Sequence, residues 1–427
     1  MYLYFNSKIN QVTKKIAIIG AGTAGLASAI FLSKLNLSCD LYEEVAKPQA
    51  VGAGLLLQPL GLNVLDKLNL LPEVLSNGSA VQSLFGMNNK SKVIMDFKYT
   101  DLYSGLFGVG IHRGSLFETL YKKAIQALNK VYLGHKVISI SQDTNSAQLV
   151  TDQGLSQNYD MIIVANGTWS SLSKTLNIKV KHNPYPWGAL WKIFNNPDQF
   201  SQSTLSQRYI RCHTMAGMLP SGINPNSGNP CISFFWSLKN DCYNDWRNND
   251  ISRWKNNAIK LWPQIAPFIE QINSHDDLTF VRYADTIMNK WHDNKIVVMG
   301  DAAHAMSPQL GQGVNMALVD AWQLYDSLQK YSQIESALKN YTKARKKHLR
   351  FYQHASRLLT PFFQSNSKTA AIFRDLIFPP MRYIPIAKRH ALTTLFGVKT
   401  SIFNNKSNVD LVNLSKKLLR PDTNKTL

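Results

Sequence analysis

The sequence predicts an α/β fold: a Rossmann-like nucleotide-binding domain with an inserted, mostly antiparallel β domain and a C-terminal helical region. Three observations point there. An apolar run, Ile16 to Ile19, enters Gly20-Ala21-Gly22-Thr23-Ala24-Gly25 and continues as a helical pattern, then as a second run closed by Glu43. A late stretch, Lys295 to Leu328, reads strand, glycine loop, helix. Between them, from about Pro184 to Tyr283, short alternating runs rich in aromatics are separated by turn-rich breaks such as Asn224-Pro225-Asn226-Ser227-Gly228-Asn229-Pro230.

With 427 residues, 44% of them hydrophobic, and nine Trp, the chain can bury two or three packed regions. The expected division is 1–80, 101–175 and 285–345 for the nucleotide domain, 81–100 and 176–284 for the inserted domain, and 346–427 for a basic helical tail. Cys39, Cys212, Cys231 and Cys242 are scattered without CxxC spacing, so no zinc site or disulfide framework is expected, and a reducing, cytoplasmic setting fits. The first residues lack the apolar core of a signal peptide. Ile16 to Leu32 is uncharged but short for a membrane span and carries three glycines at nucleotide-binding spacing.

The formal charge is +20, and its excess is concentrated in the tail. After Lys339 the acids are Asp375, Asp410 and Asp422, against Lys343, Arg345, Lys346, Lys347, Arg350, Arg357, Lys388, Arg389 and others. No nucleic-acid partner is expected, because the aromatics are not interleaved with the basic run. Apolar pieces between the cations, Leu358 to Gln364 and Ile377 to Pro380, leave two readings. One is a solvated helical cap; the other is a peripheral contact with the inner face of a membrane. Pro361, Pro379, Pro380 and Pro385 are expected to break the tail helices.

Taken in order, the first unit is a dinucleotide fingerprint in full context. Gly20, Gly22 and Gly25 serve the turn and close approach to a pyrophosphate, Thr23 and Ala24 open a helix whose amides receive it, and an acid takes ribose hydroxyls. Glu43 directly follows the last apolar strand residue, ahead of Glu44. Next, Val51 to Pro59 leads into an amphipathic helix from about Leu60 to Leu70. His112-Arg113-Gly114-Ser115-Leu116 opens another helix, with an arginine in a first turn where the dipole opposes it. Tyr159 to Ser173, YDMIIVANGTWSSLS, is a strand running into Ala165-Asn166-Gly167.

In the late unit the strand Ile296 to Met299 ends at Gly300 and Asp301. Pro308-Gln309-Leu310-Gly311-Gln312-Gly313 follows, and Ala317, Leu318, Ala321, Leu324, Tyr325 and Leu328 mark one face of a helix from near Gln312. Glycines flanking Gln312 let backbone approach a flat ligand, and the helix amides favour negative charge there.

The string GDAAH, then Pro, then GQGxN, together with the early fingerprint, resembles the single-component flavoprotein monooxygenases typified by para-hydroxybenzoate hydroxylase. The resemblance implies FAD as cofactor and spans at least Ile16 to Leu328. It gives Asp301, beside Gly300, to the ribityl chain. Gly311, Gln312 and Gly313, continuing into Val314 and Asn315, go to the pyrimidine edge of the isoalloxazine, Arg113 to the phosphates, and Pro308 to a place beside the substrate. His304 is chiefly structural in the family. Three positions depart from it: Leu60 stands where asparagine is frequent, Asn166 replaces an aspartate, and Ser173 replaces an arginine. Ala-Asn-Gly and Val319-Asp320-Ala321 also resemble tetracycline-inactivating members, and the tail resembles hydroxylases of ubiquinone biosynthesis. In the inserted sheet, Trp187, Trp191, Tyr209 and Trp236 are the substrate candidates.

The expectation that follows is an enzyme: NAD(P)H, bound transiently because no second GxGxxG exists, reduces FAD. O2 then forms a C4a-hydroperoxide, and an oxygen passes to an aromatic, phenolic or related lipophilic substrate. Tetracycline oxidation is the alternative within the class. A flavin dehydrogenase or reductase without oxygenation, or an FAD-binding membrane-surface protein of low turnover, are the alternatives outside it. No metal is expected.

Overall fold

The strand Lys15–Ile19 lies inside a six-stranded sheet, flanked in parallel by Ser38–Glu43 and Met161–Val164. The order across the sheet is His292–Asp293, Ile296–Val298, Met161–Val164, Lys15–Ile19, Ser38–Glu43, Lys130–Leu133, with only the first pair antiparallel. Ile16, Ala17, Ile18, all of Met161–Val164 and all of Ile296–Val298 are fully buried. Burial on both faces is why these strands read as continuous apolar runs rather than alternating ones. This is a computed structural model, and it describes residues 14–49, 52–196, 200, 203–405 and 409–419. Residues 1–13, Val51 and Asp422 lie outside them.

The helix Thr23–Ser33 packs against Gly313–Lys330 and is buried from Ala24 to Leu32. Enclosure on every side explains its uncharged sequence. Among the described residues no helix is long and apolar enough to cross a membrane. The helix expected from about Leu60 to Leu70 is Pro59–Lys67, ended where Asn69 takes φ +60°, and a separate short helix, Leu71–Asn77, follows.

A seven-stranded sheet runs Thr279–Met288, Val180–Asn195, Pro230–Lys239, Thr214–Ile223, Thr204–Ile210, Ser83–Asn88, Val93–Lys98, antiparallel except between Thr204–Ile210 and Ser83–Asn88. Its far face holds a separate core in which Leu190, Phe234 and Trp236 meet Trp246, Trp254 and Trp262 of the following helical segment. Its near face meets the three-stranded sheet of Gly54–Leu57, Gly108–His112 and Ser79–Val81, where the Gly54 amide donates to Ser233 Oγ at 2.7 Å.

The tail differs from expectation. Helix Ile334–Phe363 runs through residue 346 without a break and contains Pro361, while Lys368–Met381 contains Pro379 and Pro380; only Pro385 marks a helix start. These prolines sit in or near last turns, where few backbone bonds are forfeited. The turn after Pro361 is further held by Arg374 Nη1 donating to the Phe362 carbonyl at 3.0 Å, and by Phe362 and Phe363 against Phe378 at 5.5 and 5.9 Å.

Candidate active site

The crevice forms where the parallel strands end. Gly20 takes φ +100° and lies so close to the end of Met161–Val164 that a methyl built on it would fall 2.6 Å from the Ala165 carbonyl. Gly25 has no room for a side chain against the Gly20 carbonyl, so the loop and helix Thr23–Ser33 are locked together. Gly22, by contrast, faces space: the nearest atom to an added methyl is 3.9 Å away. Glu43 ends its strand beside this loop, one carboxylate oxygen accepting the Ala21 amide at 2.7 Å and the other the Val45 amide at 2.9 Å. Glu44, next along, is exposed.

Arg113 begins helix Arg113–Ile125 and is exposed, its stem lying under Gly52, which holds φ +128°. His112 precedes it as the cap, Nδ1 accepting the Gly114 amide at 3.0 Å. Burial pushes the His112 imidazole below its ordinary value.

On the other side of the crevice the strand Ile296–Val298 leads through Gly300, at φ +60°, into a single helical turn, Asp301–His304, that the sequence did not announce. Asp301 is exposed, and its Oδ1 would lie 3.7 Å from a methyl on Gly313. Pro308 is exposed at the start of the turn Pro308–Leu310, and Gly311 closes that turn in the left-handed conformation, φ +59°, with nothing within 4 Å of an added methyl. Helix Gly313–Lys330 then starts, with Gln312 as its cap and Val314 half-buried in its first turn. Asp301, Gly311 and the amide end of an 18-residue helix therefore border one open space.

The polar side chains around that space are mostly committed to holding it. Asn315 is buried; its Oδ1 accepts the Gln58 amide at 2.9 Å, and its Nδ2 donates to Leu56 and Gly311 carbonyls at 3.2 and 3.0 Å. Its amide hydrogens are spent on protein, so Asn315 shapes the loop rather than offering a donor to a ligand. Gln312 likewise turns its side chain away, Nε2 donating to the Leu395 carbonyl at 2.6 Å.

Behind the loop, Asp320 accepts from the Gly300 amide (2.8 Å), His304 Nε2 (2.5 Å) and Arg345 Nε (2.7 Å), all fully or nearly buried. Burial alone would raise the Asp320 carboxyl, but His304 and Arg345 bring it well below the usual carboxylate range. Arg345 continues to His348 Nδ1 at 2.5 Å, and His348 Nε2 reaches the Gly397 carbonyl at 2.7 Å. Leu60, where asparagine is frequent in the resembled family, is buried, and its amide donates to the Phe396 carbonyl at 3.1 Å. The tail segment 395–397 thus bonds to Gln312, to Leu60 and to His348.

At the end of Met161–Val164, Asn166 Oδ1 is buried with no hydrogen-bond partner among the described residues. An orphaned acceptor at a strand end, and two glycines bordering open space, fit a ligand rich in donors and anionic groups. Ser173 falls in the turn Leu172–Thr175, and its side chain is outside what the structure describes.

The substrate candidates separate by strand parity. Trp187 and Trp191 share the near face with Ser233 and Phe235, and Trp191 is paired with Phe235. Trp236 is one residue out of phase, paired with Leu190 in the far core, and so cannot face the crevice. Tyr209 is on the near face but fully buried, under the Arg374 guanidinium at 5.0 Å and beside Phe363 at 5.3 Å. It fastens the tail to the sheet. Sequence reasoning missed Phe235, whose ring occupies the space left by Gly217 on the next strand. The signal, a glycine opposite an aromatic, exists only once the register is known.

Residues 13–353 match the family described as FAD binding domain. The chain is 24% identical over 343 residues to the putative FAD-dependent monooxygenase YetM of Bacillus subtilis (strain 168), covering 78% of this chain and 89% of the relative. It is 23% identical over 364 residues to a flavin-dependent monooxygenase of Legionella longbeachae serogroup 1 (strain NSW150), covering 83% and 87%. In fold it is similar to Klebsiella pneumoniae HpxO, crystallised with FAD and uric acid, at TM-score 0.76 and 16% identity over 90% of this chain and 97% of that one.

Proposed function

The chain belongs to the FAD binding domain family, and on that premise we propose that it is an FAD-dependent monooxygenase. It would use NAD(P)H and O2 to hydroxylate an aromatic, phenolic or related lipophilic small molecule. The observation that carries this reading is the left-handed Gly311 leading into the half-buried amide end of helix Gly313–Lys330, with no protein atom within 4 Å of a methyl added at Gly311.

The residues around the crevice fit the cofactor. The amides of Gly22 to Ala24 would take the pyrophosphate, Arg113 a phosphate, Glu43 ribose hydroxyls and Asp301 the ribityl chain. FAD, when bound, supplies electron acceptance from NAD(P)H and reactivity toward O2, chemistry that protein side chains lack. The chain's part is electrostatic and spatial. The Gly311 amide is taken by the Pro308 carbonyl at 2.9 Å, so Gly311 would shape the loop while Gln312, Gly313 and the helix N-terminus would meet negative charge at the pyrimidine end; a preorganised donor of that kind contributes about 3 kcal/mol, and a partly buried dipole up to ~2 kcal/mol. Pro308 and the near-face rings of Trp191 and Phe235 would orient a flat apolar substrate and keep water from it. The relatives' names, and the ring compound bound by HpxO, support a small-molecule substrate.

The test is stopped-flow mixing of the dithionite-reduced, FAD-loaded protein with O2. A transient absorbance distinct from both the reduced and oxidised flavin, together with NAD(P)H oxidation stimulated by members of a phenol panel, is expected. Slow, monotonic reoxidation would instead mark a dehydrogenase or reductase.

A further inference from the structure

We infer that helix Lys368–Met381 and the turn that follows it form a docking face for an anionic lipid bilayer. On this helix Ile372, Phe373, Leu376 and Ile377 are 61%, 59%, 61% and 42% exposed. Their spacing of one, four and five residues places them on one stripe. Tyr383, Ile384 and Ile386 extend the exposed apolar surface toward helix Pro385–Leu395. Contiguous apolar patches on monomers seldom exceed roughly 300–600 Å², so a whole helix side of large aliphatic and aromatic residues calls for a partner.

The helix is not loosely placed. Its opposite side buries Ala371, Arg374 and Pro379, and sets Arg374 over Tyr209 and against the Arg211 carbonyl at 2.6 Å. The inner side is anchored on the substrate sheet, and the outer side is presented. Its sole acid, Asp375, is taken up by Arg374 and by Asn88 at 2.7 Å. Exposed or half-exposed Lys368, Arg382 and Arg389 remain around the patch, with Lys346, Lys347 and Arg350 exposed on the preceding helix.

Charge decides the occupant. A second copy would bring the same cations face to face, whereas an anionic headgroup layer complements them while the acyl boundary takes the apolar stripe. Fourteen residues of helix span about 21 Å, short of a ~30 Å hydrocarbon core, so the helix would lie on the bilayer rather than cross it. This goes beyond the flavin-site reading, and its test needs no turnover.

The experiment is co-sedimentation of the full-length, FAD-loaded protein with phosphatidylcholine vesicles, with and without phosphatidylglycerol. Binding only to the phosphatidylglycerol vesicles, weakening with added salt, is expected. The double substitution Phe373→Ser, Leu376→Ser should lower the partition coefficient at least about tenfold, with flavin spectrum and thermal midpoint unchanged because both side chains face solvent. Arg382→Glu with Arg389→Glu should abolish the phosphatidylglycerol dependence. Equal partitioning of the serine variant, no binding at low salt, or a concentration-dependent dimer dispersed by the serine variant would each overturn the proposal.

Discussion

Asp320 and Arg345 meet at 2.7 Å with both side chains fully buried, joining the helix behind the glycine loop to the long tail helix. The same carboxylate holds the Gly300 amide and His304, so one buried charge sets the position of Asp301 at the crevice. Asp320→Asn leaves the guanidinium uncompensated and should cost about 3–5 kcal/mol of stability, as should Arg345→Met. The double variant should lose less than the sum of the two by about 1–3 kcal/mol, since each single change strands the other partner. Urea unfolding of the four proteins measures this, and additive losses would show that the pair does not act as one unit.

Two glycines of the crevice should respond in opposite ways to the same substitution. Gly25→Ala drives a methyl into the Gly20 carbonyl, so it should destabilise the protein even without cofactor. Gly311→Ala meets no protein atom, and its left-handed strain costs only about 1–2 kcal/mol. The added methyl would instead enter the space kept for the cofactor, so FAD affinity should fall about tenfold or more while the apoprotein still folds. Flavin fluorescence titration beside thermal unfolding separates the two. A Gly311→Ala protein with wild-type affinity would remove the main support for the site.

Much of this was readable in advance, for a physical reason. The strands Lys15–Ile19 and Ile296–Val298 are buried on both faces, and glycines at Gly20, Gly300 and Gly311 answer local backbone demands, so each leaves a mark in the sequence near itself. What escaped depends on partners far along the chain. Phe235 lies on the near face of the sheet and Trp236 does not because of a register with Trp191 and Leu190, set by pairing across more than forty residues of sequence. Tyr209 read as a binding ring until Arg374 closed over it. The prolines of the tail read as breaks because the bonds and rings that hold those turns belong to other helices.

Acid should weaken the phosphate side of the crevice through His112. Its Nδ1 can accept the Gly114 amide only when unprotonated, and burial lowers its folded-state pKa below the ordinary 6.5. The unfolded chain then binds the proton more readily, so the cap's contribution is fully present above pH 6.5 and is lost as pH falls through the folded value. Replacing His112 with Asn supplies a cap that does not titrate. Thermal midpoints of wild type should decline below pH 6.5 more steeply than those of His112→Asn; parallel curves would place the acid sensitivity elsewhere.

Adjacent positions on one strand should separate substrate handling from folding. Trp236 fills the far core against Trp254 at 5.8 Å, and its removal to Ala should cost about 3–5 kcal/mol. Phe235, half-buried on the near face, lies over Gly217 and pairs with Trp191. Phe235→Ala opens the wall of the proposed substrate space without emptying the far core, so its stability loss should be the smaller of the two. With a phenol that stimulates NAD(P)H oxidation in wild type, Phe235→Ala should raise KM several-fold and divert more reducing equivalents to hydrogen peroxide, because the substrate is held less firmly and water enters. Trp236→Ala, assayed below its unfolding midpoint, should keep KM. If instead Trp236→Ala shifts KM and Phe235→Ala leaves it alone, the substrate does not bind on the near face of the sheet.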